Sequence, residues 1–231
     1  MTVLLLRLAG PLQSWGDSSR FARRETRAAP TKSGVLGLLA AADGRRRTDE
    51  IEDLANLRFG VRVDQPGQLV RDFQTAINWD TQKSMPLSER YYLADAVFVA
   101  GVEGDGSLIQ ALADRLEDPI YPLYLGRRSC PTAGRLSLGV RAGPLESEIR
   151  AVPWQAADWH RRTRPKTVQL PLYADVTDGL SGATETVRDV PLSFSPERRE
   201  YGWREVAHLT PVHYPNPAGR KVPDWLAALE A

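Results

Sequence analysis

Cysteine is nearly missing from this 231-residue chain: Cys130 stands alone. A single thiol excludes an intramolecular disulfide and leaves no second cysteine to share a zinc ion, so a reducing cytoplasm is the expected setting. Histidine is scarce as well, and His160, His208 and His213 all follow residue 159. A histidine general base for chemistry in the N-terminal part would have to be brought from the C-terminal part. No His or Cys cluster has metal-ligand spacing, no phosphate-cradling loop carries its lysine, and neither metal nor cofactor is expected. Long apolar runs are missing too: the nearest, Val35 to Ala42, falls far short of the ~20 residues of a membrane span. Arg7 interrupts Val3 to Leu8, which reads as a buried first strand instead of a secretory signal. No membrane partner is expected.

What is present is enough apolar sequence for a core, 42% hydrophobic against 26% charged. The net charge of +1 conceals a split. Residues 1–47 carry nine Lys or Arg against Asp17, Glu25 and Asp43, giving +6 and leaving −5 for the rest. Binding responds to local field, so this cluster points to a polyanion. Only Lys32, Lys83, Lys166 and Lys221 among the 30 basic residues are lysine. A GC-rich genome would produce that bias, yet the planar arginine fork also suits phosphate and base stacking in ways lysine does not.

Residues 2–9 read as a strand, broken by Gly10-Pro11 before a long basic loop that reaches Pro30. Thr31 or Ser33 then caps a helix with Val35, Leu36, Leu38 and Leu39 on its buried face, ending near Asp43-Gly44. A short helical stretch around Asp49 to Asn56 precedes a strand over Leu57 to Val63. Residues 69–77 and 89–102 read as the arms of a protruding hairpin, followed by a helix bearing Leu108, Ile109, Leu112 and Leu116 and a strand over Arg135 to Arg141. This order fits an α+β class, a βαββαβ ferredoxin-like (RRM-like) domain over residues 1–142. From Gly143 the composition shifts towards proline and Trp154, Trp159, Trp203 and Trp225, with strands near 167–173 and 201–210. Residues 143–231 are therefore expected to form a smaller β-rich C-terminal subdomain.

Two stretches carry binding chemistry. Leu125-Gly126-Arg127-Arg128-Ser129-Cys130-Pro131 lies in a segment with no acidic residue between Pro119 and Leu145. Its glycine permits close approach of an RNA backbone and its arginines suit phosphates, although an ordinary turn with two solvated arginines has the same sequence. Tyr121 and Tyr124 are candidates for base stacking or for half-buried packing. The second stretch runs from Gln13-Ser14-Trp15-Gly16 through Arg20, Arg23, Arg24 and Arg27 to Lys32-Ser33-Gly34. A phosphate would sit well at the following helix start, with Lys32 beside it, and a solvated loop with a routine cap is the other reading. Cys130 beside two arginines is a weak nucleophile candidate, since small buried cysteines are common.

Four separated motifs, in order, resemble the Cas-five branch of the RAMP superfamily as found in type I-E CRISPR Cascade complexes. They are Leu6 through Gly16, Pro30 through Leu39, Arg71-Asp72-Phe73-Gln74-Thr75 and Tyr124 through Pro131. The resemblance covers about the first 140 residues. It implies a RAMP domain whose thumb hairpin spans roughly 69–100, and a non-catalytic subunit that caps the 5′ handle of the guide RNA (crRNA) in antiviral defence. Further implied partners are the adjacent backbone subunit, contacted by the thumb, the large subunit, and target DNA indirectly through the complex. Carried onto this chain, the RNA-binding residues are Tyr124, Gly126, Arg127 and Arg128 in the glycine loop, Arg90 at the thumb base, and Lys32 and Ser33 at the first helix. Gln13, Trp15 and Arg27 complete the set, with Trp15 open to a packing role. Relatives in subtype I-C cleave precursor RNA without metal, so a metal-independent endoribonuclease is the alternative. The lack of an N-terminal histidine sets this chain apart from that pattern.

Overall fold

The first strand explains its own high apolar content. In β1 (Thr2–Ala9), Leu4, Leu6 and Leu8 enter one core while Val3 and Leu5 enter another on the opposite face. Side chains alternate across a strand, so a sheet covered on both faces needs apolar residues on both faces of its central strands. The computed structural model describes residues 1–16, 23–179 and 182–220. Arg20 of the basic loop, Lys221 and Trp225 lie outside the described residues.

After β1 come the short β2 (Leu12–Gln13) and β3 (Arg23–Arg24), then α1 (Lys32–Ala42), α2 (Glu52–Ala55) and β4 (Arg58–Gln65). The chain continues through β5 (Gln68–Gln74), β6 (Ser88–Ala94), β7 (Val97–Gly104), α3 (Gly106–Glu117), β8 (Ser137–Ala142), α4 (Leu145–Ala151) and α5 (Asp158–Thr163). It ends with β9 (Thr167–Asp175), β10 (Ala183–Ser193) and β11 (Glu200–Pro215). The fold is a mixed α and β architecture dominated by antiparallel pairing. Seven strands form one sheet in the order β10-β11-β9-β4-β7-β1-β8, and every neighbouring pair is antiparallel.

The helices α1 and α3 cover one face through Leu36, Leu39, Ile109 and Leu112. On the other face α4 sets Leu145 and Ile149 against Val3, Leu5 and Val99. Gly60 and Gly101 are cross-strand partners beneath it, and a Cβ on Gly101 would lie 2.7 Å from Leu145. The missing side chains let α4 rest on the sheet. Behind it, Arg62 is fully buried and spends all five N–H donors internally: on both Asp64 oxygens at 2.7 and 2.9 Å and on the carbonyls of Ile149, Val152 and Pro153. That ion pair also satisfies carbonyls at the end of α4, which would otherwise be orphaned.

A smaller sheet gathers β2, β3 and β5 around β6. The expected second arm, 89–102, is split at Asp95, which takes a positive φ of 55° and turns the chain out of the small sheet into β7 of the large one. Aspartate tolerates that conformation better than most residues. β9 pairs with β4, so the C-terminal strands continue the large sheet. No helix among the described residues is long and apolar enough to cross a membrane.

Candidate nucleic-acid interface

The glycine loop is built by local hydrogen bonds. Leu125 N–H donates to Cys130 O at 2.8 Å and Cys130 N–H to Arg127 O at 2.8 Å, closing a tight turn. Gly126 sits at φ +82°, and a Cβ there would fall 1.8 Å from Ser14 O. Both conformation and space demand glycine. The turn is thereby clamped onto residues 14–16, and Ser14 N–H donates to Leu125 O at 3.1 Å.

Trp15 is fully buried and lies over Gly34, where a Cβ would sit 2.8 Å from its ring. Its indole N–H donates to Gln13 Oε1 at 3.0 Å, and the Gln13 amide in turn donates to Ala96 O at 2.7 Å and Leu8 O at 3.2 Å. Thr31 caps α1 by accepting from Gly34 N–H at 3.2 Å. The anion at this helix start is one of the protein's own: Asp189 accepts from Lys32 N–H at 2.7 Å. The Lys32 ammonium, read from sequence as facing a phosphate, is buried instead and donates to Asp175 at 3.0 Å. Arg204 joins both carboxylates, reaching Asp189 at 2.5 and 2.9 Å and also Asp175. Two cations and two carboxylates therefore close a buried ring between α1 and the C-terminal strands. The partners explain why Gln13 and Lys32 stand behind the surface.

In front of this frame opens a cleft of about 830 Å³. Trp15, Ser33, Tyr124, Gly126, Arg127 and Arg128 line it, so these expected residues are brought together. Arg24, Arg45, Arg46, Arg47 and Arg199 bring the lining arginines to seven, against Glu25 as its one carboxylate. A concave surface with such an excess of cations suits a polyanion, although Arg45 is itself paired with Asp43 and Asp53. Arg127 is half-buried: it donates to the carbonyls of Tyr91 at 3.1 Å and Arg24 at 2.7 Å and stacks over Tyr92 at 4.8 Å, tying the glycine loop to β6 and β3. Arg128, by contrast, is exposed.

The sequence profile described as "CRISPR-associated protein (Cas_Cas5)" matches residues 3–207. The chain belongs to the Cas5 family of CRISPR-associated proteins. It is 35% identical to "CRISPR system Cascade subunit CasD" of Escherichia coli (strain K12), with 59% of this chain and 70% of the relative covered. Among solved structures it is similar to a chain of a "CRISPR RNA-guided surveillance complex" at 32% identity and a TM-score of 0.75, covering 99% of this chain and 98% of the other. A crystal structure of a Cas protein matches at 36% identity and a TM-score of 0.68, over 96% and 99% of the two chains.

Besides Gln13 and Lys32, two more expected binding residues of this Cas5 chain lie outside the cleft lining. Arg27 is half-buried and approaches Glu185 at 3.5 Å. Arg90 lies in β6, opposite Asp72 of β5 and Arg24 of β3, and its buried Nε has no hydrogen-bond partner. Sequence reasoning missed Arg45, Arg46 and Arg47, although three consecutive arginines after Gly44 were a visible signal. It also missed Phe194, Arg199 and Tyr201, which nothing in the local sequence ties to the N-terminal motifs.

Histidine and free thiolate are not found in the lining of the cleft. None of the three histidines lines it, and burial with nearby Arg164 holds His160 below its ordinary pKa. Burial pushes the Cys130 thiol up, away from the thiolate that a nucleophile requires. Among the described residues no group of three or more His, Cys, Asp or Glu is placed to hold a metal.

Proposed function

We propose that this chain is a non-catalytic Cascade subunit that binds and caps the 5′ handle of the guide RNA in the arginine-lined cleft. The observation that carries this is the convergence of two separated motifs and the helix start on one concave surface holding seven arginines and one carboxylate. Phosphates would meet the exposed arginines, chiefly Arg128, while Gly126 lets the backbone approach; Gln13, Trp15 and Lys32 hold the wall behind them. The order β8-β1-β7-β4, with α1 and α3 in the crossovers, supports reading residues 1–142 as a ferredoxin-like RAMP unit. Residues 143–231 are then an appended β-rich part that supplies the last strands and the carboxylates beneath α1.

The β5–β6 hairpin fits the thumb. It exposes Leu69, Phe73, Ile77, Trp79, Met85 and Leu87, and Trp79 is 89% exposed. An apolar projection of this kind suits a protein partner, here the adjacent backbone subunit. The large subunit and, through the complex, target DNA complete the assembly in the cytoplasm.

Co-expression with the neighbouring CRISPR subunits and guide RNA, followed by crosslinking and mass spectrometry, tests the reading. Crosslinks from residues 124–129 to the 5′ handle are expected, and an intact complex with none there would overturn it. Incubation of the purified protein with repeat RNA in EDTA is expected to give no specific cleavage. Cleavage would restore the endoribonuclease alternative.

A further inference from the structure

The cleft has a second wall that none of the sequence motifs supplies. The glycine loop and residues 14–16 make one wall, whereas Phe194, just past β10, and Tyr201, near the start of β11, make the other. Between them α1 forms the floor with Gly34, Gly37 and Ala41, which share one helical face. Phe194 lies over that floor: a Cβ on Gly37 would be 3.5 Å from its Cζ. The ring is only half-buried, so it keeps a surface towards the cleft. At the far end Tyr121 N–H donates to Ala41 O at 3.2 Å, which fixes that segment beside α1, and the side chains of Arg46 and Arg47 are exposed next to it.

A half-buried aromatic side chain and a pair of exposed arginines lining one cleft have the chemistry that recognises a nucleotide. The ring offers a stacking face for any base, and the guanidinium groups suit the attached phosphate. A duplex would hide its bases from such a ring, so the occupant is single-stranded. We propose that this far half of the cleft holds one unstacked nucleotide of the bound RNA, its base stacked on Phe194 and its phosphate on Arg46 and Arg47. The inference rests on the guide-RNA reading above and adds to it a binding role for the C-terminal part of the chain.

The test uses the complex co-purified with its guide RNA, probed by 2′-hydroxyl acylation at each nucleotide. Four forms are compared: the unmodified chain, Phe194→Leu, the double variant Arg46→Ala with Arg47→Ala, and Arg128→Ala. Leucine keeps apolar packing on Gly37 but removes the stacking face, and the arginine pair is exposed, so the double variant retains the fold. Phe194→Leu and the double variant are each expected to raise reactivity at the same single nucleotide, by about tenfold for a lost stack. Arg128→Ala is expected to act on a different stretch. If Phe194→Leu and the double variant leave every nucleotide unchanged while Arg128→Ala does not, this proposal is overturned and the handle-binding reading stands. If Arg128→Ala also changes nothing, both fall.

Discussion

The cleft and the hairpin are written in opposite chemistries. The cleft is concave and lined by seven arginines with one carboxylate, whereas the hairpin projects Ile77, Trp79 and Leu87 into solvent. A concave field of one sign recruits a polyanion; a convex apolar ribbon recruits another protein. On the proposed function, one chain carries a nucleic-acid surface and a protein surface that can be damaged separately. The cleft also has a rigid backing that the hairpin lacks, namely the buried ring of Lys32, Asp175, Arg204 and Asp189.

The largest effect is expected from removing that backing. Asp189→Ala leaves the start of α1 without its buried acceptor and Arg204 with one of its two carboxylates, which costs about 3–5 kcal/mol. Chemical denaturation of the variant measures the loss, and a change below about 1 kcal/mol would show that the ring contributes little. Next comes Gly126→Ala, which needs a disfavoured φ and a Cβ overlapping Ser14 O. A loss of about 2–3 kcal/mol and a displaced glycine loop are expected, so that RNA binding falls while the hairpin still engages its partner.

Two variants then exchange the readouts. Arg128→Ala is expected to weaken RNA binding by about tenfold and to flatten its salt dependence, with little change in stability. Trp79→Ser is expected to spare RNA binding and to weaken association with the adjacent subunit by about tenfold, as truncating an exposed aromatic anchor does. Native gel shifts at several salt concentrations and pull-down of the neighbouring subunit measure both. If Trp79→Ser lowered RNA affinity and Arg128→Ala did not, the assignment of the two surfaces would be reversed.

How much of this was legible depended on distance along the chain. The β1 run, the Thr31 cap and the Leu36 and Leu39 face of α1 follow from local pattern, and the structure places them accordingly. The hairpin arms were legible as well, except that the break at Asp95 arises from a change of sheet that no periodicity announces. Lys32 shows where local reading stops. Its sequence neighbours are those of a phosphate site, but Asp175 and Asp189, more than 140 residues away, claim it in the folded chain. The acceptors of Arg127 were illegible in the same way, since the carbonyls of Tyr91 and Arg24 come from other strands. Phe194 and Tyr201 were illegible because sheet order alone carries them to the cleft.

The smallest expected effect separates the two surfaces by pH. His160 is buried in α5 beside a small pocket that it shares with Gln65, Gly67, Gln68 and Asp95 at the base of the hairpin. Burial and Arg164 hold its pKa below the ordinary 6.5, so the folded chain keeps it neutral where the unfolded chain protonates. The unfolded state then binds more protons, and the stability it contributes is fully present above about pH 6.5 and is lost as the pH falls below that value. Hydrogen exchange between pH 7.5 and 5.5 is expected to show protection falling around Gln65 to Gln68 and in α5, with residues 124–130 unchanged apart from the intrinsic pH dependence of exchange. His160→Gln should flatten that difference, and an equal loss of protection in the glycine loop would mean that the hairpin base and the cleft respond as one unit.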